Sequence, residues 1–512
     1  MITPPGHVYL PTSKSYLYPI FFSPNQILQA KNGAWGIKDT HTTAPQGRAY
    51  AVWFFVLSGK IAHVLNIEPT TFYTITQILG MIAVYAAAYF LATVLLPKKY
   101  QALALLFAFF IELGPDVTSL VQYPVTKTFS PANSAFILLF RFFGLPHHAW
   151  GDALALLSFA FLIRTYQKRS LPNALALFIT TITSAFFLPP VVITLGLSVY
   201  PMLILLSFLT RTFNKLLLPL VIATIAVAIA GIQTKIAFAN AGFPWSAWTT
   251  IEKSWWTNTD AFHQYASSLI PYIPFGILLG IAILFRWKLW TAQLRQTMFL
   301  LAVWVAMPLI YIPISDKSFF PVANMRLLDG NLYVAAGFLS AISLIESASL
   351  IKHAAIRRMT LVLFTAITLG TSVLVSSMYT IPFLAYQANM DPHAYPFITT
   401  WEGVKFLKTV PKGSGILVRE PFGEILPGFA DIRVYIGGQH GFPDWLDRQA
   451  KAVTFFSGTM QEDQALQFLK THDIQYVFYG PDEQAVTAQK PLYPNILKPV
   501  FQNATVTIFK VQ

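Results

Sequence analysis

Long apolar runs alternate with short polar loops between residues 70 and 379, and the loops at every second junction carry only basic charge. Together these loops hold 13 Lys and Arg residues and no Asp or Glu, at 98–99, 164–169, 211–215, 286–295 and 352–358. Short loops rich in Lys and Arg stay on the cytoplasmic side of a membrane. The pattern therefore predicts a polytopic membrane protein with these five loops in the cytoplasm.

Composition supports this class and excludes others. The chain is 55% hydrophobic and 11% charged, with a mean hydropathy of +0.54, outside the usual range of soluble domains. Residues 1–378 hold 24 basic and 10 acidic residues, whereas residues 379–512 hold 11 and 12. The excess charge follows the membrane loops, so it reflects topology and does not indicate nucleic-acid binding. The absence of Cys excludes disulfides, thiol catalysis and Cys-ligated metals.

The apolar runs predict about ten membrane spans. The run 101–113 is short for a bilayer that needs roughly 20 residues, and Pro189-Pro190 separates two runs that form a tight external hairpin. A broken or re-entrant helix is the alternative at either place. We predict the spans at 69–96, 101–113, 148–166, 172–188, 190–210, 216–238, 268–287, 297–315, 331–351 and 357–378.

The N-terminal region has no obvious means of export. Residues 1–48 contain no run apolar enough for a signal peptide or a span, yet the charge alternation places Glu68 outside. Residues 46–67 gather aromatic side chains with interspersed basic residues, which predicts a helix lying in the membrane interface, with a true span as the alternative. An external N-terminus further predicts a membrane helix ahead of Met1.

The pattern changes near Thr399 to that of a small α/β domain. Strands are predicted at 414–420, 431–438 and 474–480 and in a terminal pair near 498–501 and 505–511, with helices at 402–409, 444–457 and 460–471. Their alternation favours a mainly parallel sheet covered by helices. The chain thus divides into an external loop region with interfacial helices (1–68), a polytopic membrane domain (69–378) and a C-terminal soluble α/β domain on the external face (379–512).

This layout resembles the GT-C superfamily of integral-membrane glycosyltransferases, particularly its mannosyltransferase-like and aminoarabinosyltransferase-like members. The resemblance covers most of the chain. It includes local similarity in the aromatic segment 15–42, in Pro146-His147-His148 and in the Arg-bearing segment 324–338. It implies a plasma-membrane, multi-pass enzyme of the cell envelope. Such an enzyme transfers a sugar from a polyprenyl-phosphate-linked donor, among membrane lipids, to a glycan, lipid or protein acceptor.

The resemblance also implies two acidic positions on the external face. The first external loop of such enzymes carries an acid that acts on the acceptor or a metal, and here Asp39 is the only acid before Glu68. A simple Asx turn over residues 39–42 is the alternative reading. The second acid follows the third span, where Glu112 and Asp116 are the candidates. Either the first span and its acid precede this sequence, or the first position is degenerate.

Physical chemistry adds candidates for substrate binding. A departing polyprenyl phosphate needs a cation, and Arg326 is the strongest choice because its guanidinium binds phosphate oxygens bidentately and stays charged. Lys317 and Lys253 are alternatives, although each of these cations is also placed to snorkel toward lipid headgroups. Trp255 lies in an external loop where it can stack on a sugar. Alternatively, it belongs to the aromatic belt that anchors the protein at the membrane interface.

The histidines do not indicate a metal site. His147 and His148 lie at the predicted outer end of a span, but adjacent helical residues point about 100° apart, which disfavours a shared ion. His147 is retained as a substrate-binding candidate, with helix capping or packing as the alternative. His41 and His63 lack a third ligand at a recognisable spacing. No metal is assigned, and a divalent cation bound by carboxylates is left open.

Two other classes of function compete with glycosyl transfer. A transporter or flippase of a lipid-linked substrate would carry ionisable residues in mid-span and repeated halves, and the predicted mid-span regions are almost free of charge. A non-enzymatic envelope protein with a sensing or scaffold domain is the remaining alternative. It gains weight if Asp39 and Asp116 prove dispensable.

Overall fold

The structure is a computed structural model of the 512-residue chain. It describes residues 3, 5–8, 10, 17–111, 145–248, 250, 253, 257, 260–315, 323–328, 331–390, 395–437, 444–487 and 492–512. Two compact units form from interleaved parts of the chain. The α/β unit comprises residues 1–76, 234–251 and 384–512, and the helical unit comprises residues 77–233 and 252–383.

Helices account for most of the described chain. Those up to residue 390 are α1 (Leu17–Lys31), α2 (Trp53–Val64), α3 (Pro69–Leu95), α4 (Lys98–Phe110), α5 (Pro146–Gln167), α6 (Leu171–Phe187), α7 (Pro189–Leu209), α8 (Phe213–Ala241), α9 (Ala261–Ser268), α10 (Ile273–Arg286), α11 (Ala292–Tyr311), α12 (Asn331–Ala348) and α13 (Ala354–Met390). Within the described residues, each of the ten predicted spans overlaps at least one of these helices. In the described residues, seven helical segments are long and apolar enough to cross a membrane, so the chain is a multi-pass membrane protein.

Three of the ten predicted spans fall outside that set of seven, two because their helices are short and one because its helix carries polar residues. Helix α4 has 13 residues and α6 has 17, so each is shorter than the roughly 20 residues that span a bilayer. Helix α5 is long enough at 22 residues but contains two His, an Asp and an Arg. Pro189 begins α7 directly after α6, as the Pro-Pro pair predicted.

Close helix packing holds the helical unit together. Gly337 of α12 lies so near α4 that a Cβ at this position would be 2.4 Å from the backbone N and Cα of Ala108. Aromatic rings fill the space elsewhere, as where Phe159 and Trp304 meet edge to face with centroids 5.3 Å apart. Ala108 and Gly337 are both buried, so α4 and α12 form a tight pair inside the unit.

The α/β unit contains one five-stranded sheet of order β2-β1-β3-β5-β4. Its strands are β1 (Gly415–Leu417), β2 (Arg433–Val434), β3 (Tyr476–Tyr479), β4 (Leu497–Gln502) and β5 (Thr507–Val511). Strands β2, β1 and β3 are parallel, whereas β5 pairs antiparallel with both β3 and β4. The predicted strands are confirmed, and the sheet is parallel in three strands with an antiparallel terminal hairpin.

Alternating side chains of the strands build a core on each face of this sheet. Leu417 and Val477 pack on one face, where Phe455 of a covering helix meets them. Ile416 and Phe478 pack on the other face. The remaining helices of the unit are α14 (Ile398–Leu407), α15 (Phe422–Ile425), α16 (Trp445–Phe456), α17 (Glu462–Thr471) and α18 (Pro481–Gln484).

The N-terminal segment is part of the α/β unit. Helix α1 packs on α2, where Gly59 allows close approach because a Cβ there would lie 2.4 Å from the Cβ of Ala30. The Asn25 side chain donates a hydrogen bond of 2.6 Å to the carbonyl of Pro427. The first helices therefore contact the C-terminal domain directly.

Helix α2 confirms the predicted helix within residues 46–67. Its exposed side includes Leu57, Ile61 and Val64, and the Lys60 ammonium lies 4.6 Å from the ring centroid of Trp35. This exposed apolar stripe with a flanking cation is the surface expected of an interfacial helix. Its position in the interface stays a prediction.

Candidate functional site

Residues 39–43 run beside strand β2 of the α/β unit. The Thr40 carbonyl accepts a 2.9 Å hydrogen bond from Val434 N, and the Thr43 carbonyl accepts one of 3.0 Å from Arg433 Nη1. Asp39 is 1% exposed, and its Oδ1 accepts a 2.9 Å bond from His41 N. This is the geometry of an Asx turn. The structure thus places Asp39 in a buried turn, and its predicted role toward an acceptor stays a prediction.

His41 fixes the same segment on the sheet. Its side chain is fully buried, and Nε2 lies 3.1 Å from the carbonyl oxygen of Glu424. Gly437 packs against the ring, since a Cβ at that position would lie 2.7 Å from the Cβ of His41. Close packing therefore accounts for the glycine at this position.

Arg326 lies in the helical unit, in the 3-10 turn Asn324–Leu328 just before α12. This turn contacts α7 and α11 and leaves Arg326 only 6% exposed. Its backbone N–H donates a 3.0 Å hydrogen bond to the Ala323 carbonyl. Burying a guanidinium is costly unless counter-charges or hydrogen bonds compensate, so a buried Arg in a membrane protein points to a functional site.

A buried pair of polar side chains lies close in the chain to Arg326, at the start of α12. Asn331, the first residue of α12, donates a 3.2 Å hydrogen bond from Nδ2 to Oδ1 of Asp152 in α5. Asp152 is 0% exposed and Asn331 is 3% exposed. Asp152 was not among the predicted site residues because it lies inside an apolar run, whereas the predicted acids lie in loops or at the end of a span. The available signal was an acid inside an apolar helix, which is expensive and therefore informative.

The two adjacent histidines occupy the first turn of α5. His148 is buried and His147 is half-buried, and their rings meet edge to face with centroids 4.4 Å apart. His148 and Asp152 are four residues apart and so share one helix face. Within the described ranges, no group of three or more His, Asp or Glu side chains is placed to hold a metal ion.

The Asp152–Asn331 hydrogen bond brings two predicted residues to one end of the helical unit. His147 precedes Asp152 by five residues, and Arg326 precedes Asn331 by five. The bond joins α5 to α12 near their N-termini, so both predicted residues lie at that end. Asp39 belongs to the other unit. Glu112, Asp116, Lys317 and Trp255 lie outside the described residues.

The architecture is that of a polytopic membrane protein, and solved structures share it. ArnT from Cupriavidus metallidurans in its apo state superimposes with a TM-score of 0.52 at 12% identity, and the match covers 96% of this chain and 93% of ArnT. The same protein solved with undecaprenyl phosphate gives a TM-score of 0.51 at 11% identity and the same coverages. The chain therefore shares the fold of ArnT, as the predicted resemblance implies.

An archaeal protein shares this architecture. The oligosaccharyltransferase of Archaeoglobus fulgidus, solved with zinc and sulfate, matches with a TM-score of 0.50 at 12% identity, and the match covers 94% of this chain and 67% of the oligosaccharyltransferase. No protein-family model and no curated protein sequence matches the chain.

Proposed function

We propose that this protein is a membrane glycosyltransferase that transfers a sugar from a polyprenyl-phosphate-linked donor to an acceptor on the external face. The observation that carries the proposal is the GT-C fold, matched along 96% of the chain to ArnT, a protein solved with undecaprenyl phosphate bound. The buried Arg326 gives this chain a cation suited to the same phosphate.

The external face follows from the charge of the loops. The acid-free basic loops lie at the opposite ends of the spans from His147 and Arg326. The candidate site and the C-terminal domain would then both be external, where a lipid-linked sugar meets its acceptor. Localisation in the plasma membrane is part of the same proposal.

The reaction assigns a separate task to each kind of side chain. The bond between the anomeric carbon and the phosphate oxygen breaks, and the electron pair leaves with the phosphate. Arg326 stabilises that growing negative charge. The acceptor hydroxyl or amine forms the new bond to carbon and loses its proton to a carboxylate. The candidate carboxylates are Asp116, Glu112, Asp39 and the newly located Asp152.

Accessory binding roles remain with the other predicted residues. His147 lies at the Arg326 end of the helical unit and is proposed to contact substrate. Lys317 and Trp255 are proposed to contact the donor phosphate and the sugar face, respectively. A divalent cation at the carboxylates would supply further charge stabilisation for the phosphate.

Binding of undecaprenyl phosphate tests the role of Arg326 without knowledge of the sugar. Arg326→Gln removes the charge but keeps much of the side-chain volume. We expect the full-length variant to bind undecaprenyl phosphate about 10- to 100-fold more weakly, since hydrogen bonds to charged groups contribute about 1.5–3 kcal/mol each. Arg326→Lys should restore part of the affinity. Arg358→Gln, at an exposed residue near the start of α13, is the matched control and should bind like the wild type.

Sugar transfer tests the reaction itself. Radiolabelled lipid-linked sugars prepared from membranes should donate label to acceptors in the presence of the wild-type protein. Asp116→Asn and Asp152→Asn should lower the rate by roughly 10²–10⁴ at unchanged protein level if either residue is the general base. Retention of full activity by the variants of all four candidate carboxylates (Asp116→Asn, Asp152→Asn, Glu112→Gln and Asp39→Asn), or equal binding of undecaprenyl phosphate by Arg326→Gln and wild type, would refute the proposal.

A further inference from the structure

A buried carboxylate holds two cations at the other end of the helical unit. Glu346 is 1% exposed and accepts four hydrogen bonds: from Lys99 Nζ at 2.8 Å, Tyr100 Oη at 2.6 Å, Arg286 Nε at 2.9 Å and Trp290 Nε1 at 2.7 Å. These donors come from the first turn of α4, the last residue of α10 and the turn before α11. Glu346 therefore fixes both cations where several membrane helices end.

Both cations keep donors for another partner. Arg286 has five N–H groups and Lys99 has three, and in the described part of the chain each makes a single hydrogen bond, to Glu346. The Lys99 side chain is 56% exposed and the Arg286 side chain is 23% exposed. Two cations already held in place lose little conformational entropy on binding an anion.

The surroundings add positive charge. Lys98 and Lys288 are exposed and lie one and two residues along the chain from Lys99 and Arg286, respectively, and the Arg295 guanidinium lies 5.7 Å from the ring centroid of Trp287. The single carboxylate of Glu346 does not neutralise this group of cations. The surface at these helix ends thus carries a net positive charge, which attracts anions at a membrane boundary.

Apolar side chains border the same surface. Phe285 is 69% exposed and Leu289 is 71% exposed, on either side of Arg286 and Lys288 in the chain, and Trp287 is 40% exposed. An aromatic residue with apolar neighbours at a helix end is typical of the membrane interface. A ligand here therefore meets cations for a headgroup and apolar surface for acyl chains.

We propose that Lys99, Arg286 and Lys288 form a binding site for the phosphate of an anionic phospholipid, here named the Lys99–Arg286 site. Guanidinium and ammonium groups bind phosphate through charge-assisted hydrogen bonds, and basic pockets between membrane helices bind anionic headgroups. The shared carboxylate distinguishes this site from a merely basic loop because it sets the positions of Lys99 and Arg286. The site lies at the opposite helix ends from Arg326 and does not depend on the proposed sugar transfer.

Lipid-dependent thermal stability of the full-length protein in neutral detergent measures this binding. Phosphatidylglycerol should raise the melting temperature in a saturable way, because a ligand that binds only the folded state stabilises it. Phosphatidylcholine, which is zwitterionic, and inorganic phosphate should raise it much less. Native mass spectrometry of the same samples should show retained phosphatidylglycerol.

Substitution of the two exposed lysines tests the assignment with little risk to folding. Lys99→Gln/Lys288→Gln leaves Arg286 on Glu346 and should weaken phosphatidylglycerol binding about 10-fold or more, since two charge-assisted contacts are lost. Lys352→Gln/Arg358→Gln removes the same charge from two exposed residues around the start of α13 and should bind like the wild type. Arg286→Gln should show the largest loss of phosphatidylglycerol binding, provided that the variant folds.

Three results would overturn the site. Equal stabilisation by phosphatidylglycerol and phosphatidylcholine would show that the headgroup charge is not recognised. Equal weakening by the two double variants would reduce the effect to net charge alone. Binding of inorganic phosphate as tight as that of phosphatidylglycerol would exclude a lipid as the preferred ligand.

Discussion

Glu483 is fully buried in the α/β unit between the ends of two parallel strands. Its Oε1 accepts a 2.7 Å hydrogen bond from Arg419 N after β1, and its Oε2 accepts a 2.9 Å bond from Gly480 N after β3. Burial raises the pKa of Glu483 to about 7, and these N–H donors oppose the shift. The side chain thus joins two strand ends and also responds to pH.

The raised pKa predicts how stability changes with pH. In the folded protein the pKa lies above the unfolded value of 4.5, so the contribution is fully present below pH 4.5 and is lost as pH rises through about 7. The difference corresponds to about 3 kcal/mol. We expect the melting temperature of the wild type, relative to that of Glu483→Gln, to fall between pH 5 and pH 8. Parallel pH profiles for the two proteins would contradict the assignment.

Single residues differ in how far the sequence predicts their roles. Arg326 was identified because it stands out in a short external loop, and its burial agrees with a site. Asp152 and Glu346 were missed because their significance depends on partners 179 and 247 residues away, Asn331 and Lys99, respectively. An acid in an apolar helix signals that a partner exists, but the local pattern does not say which residue it is.

At the scale of helices, the contact between α4 and α12 depends on Gly337. A Cβ there would lie 2.4 Å from main-chain atoms of Ala108, which cannot rotate away, so Gly337→Ala must push the helices apart. We expect a loss of about 1–3 kcal/mol or more in the free energy of unfolding, typical of overpacking. The measurement is the melting temperature in detergent.

Gly370 provides the matched control. It lies in α13, where an added Cβ would meet no atom within 4 Å. Alanine is also the better helix former, so Gly370→Ala should leave the melting temperature unchanged or raise it slightly. An equal drop in the melting temperature of both variants would show that the α4–α12 contact is not the cause of the destabilisation.

Helix positions were predictable wherever hydrophobicity and proline mark the ends. The predicted span 190–210 corresponds to Pro189–Leu209, and 69–96 corresponds to Pro69–Leu95. The predicted span 357–378 lies within α13, which continues beyond it to Met390. A membrane helix does not need to end where its apolar run ends, because its backbone hydrogen bonds can continue into water.

At the scale of the whole molecule, long-range pairing limited the prediction. The C-terminal strands and helices follow from local alternation, and their positions are confirmed. The attachment of the N-terminal segment to these strands and helices could not be predicted from local alternation. It depends on hydrogen bonds such as that from Arg433 Nη1 to the Thr43 carbonyl, which join residues 390 positions apart. The sequence left two readings of residues 39–42, an acid at Asp39 that acts on the acceptor or a metal, or a simple Asx turn. The structure shows the Asx-turn hydrogen bond, and the role of Asp39 toward an acceptor stays a prediction.

Membrane orientation is the remaining property of the whole chain that the proposed function requires. Because the sequence contains no Cys, single cysteines at exposed positions report accessibility without background. A membrane-impermeant thiol reagent applied to intact cells should label His263→Cys and Gln464→Cys and should leave Gln167→Cys and His353→Cys unlabelled until the membrane is permeabilised. The acid-free basic loops predict this pattern, since they hold residues 167 and 353 in the cytoplasm. The reverse labelling would place Arg326 and the C-terminal domain inside the cell, where an external sugar transfer is impossible.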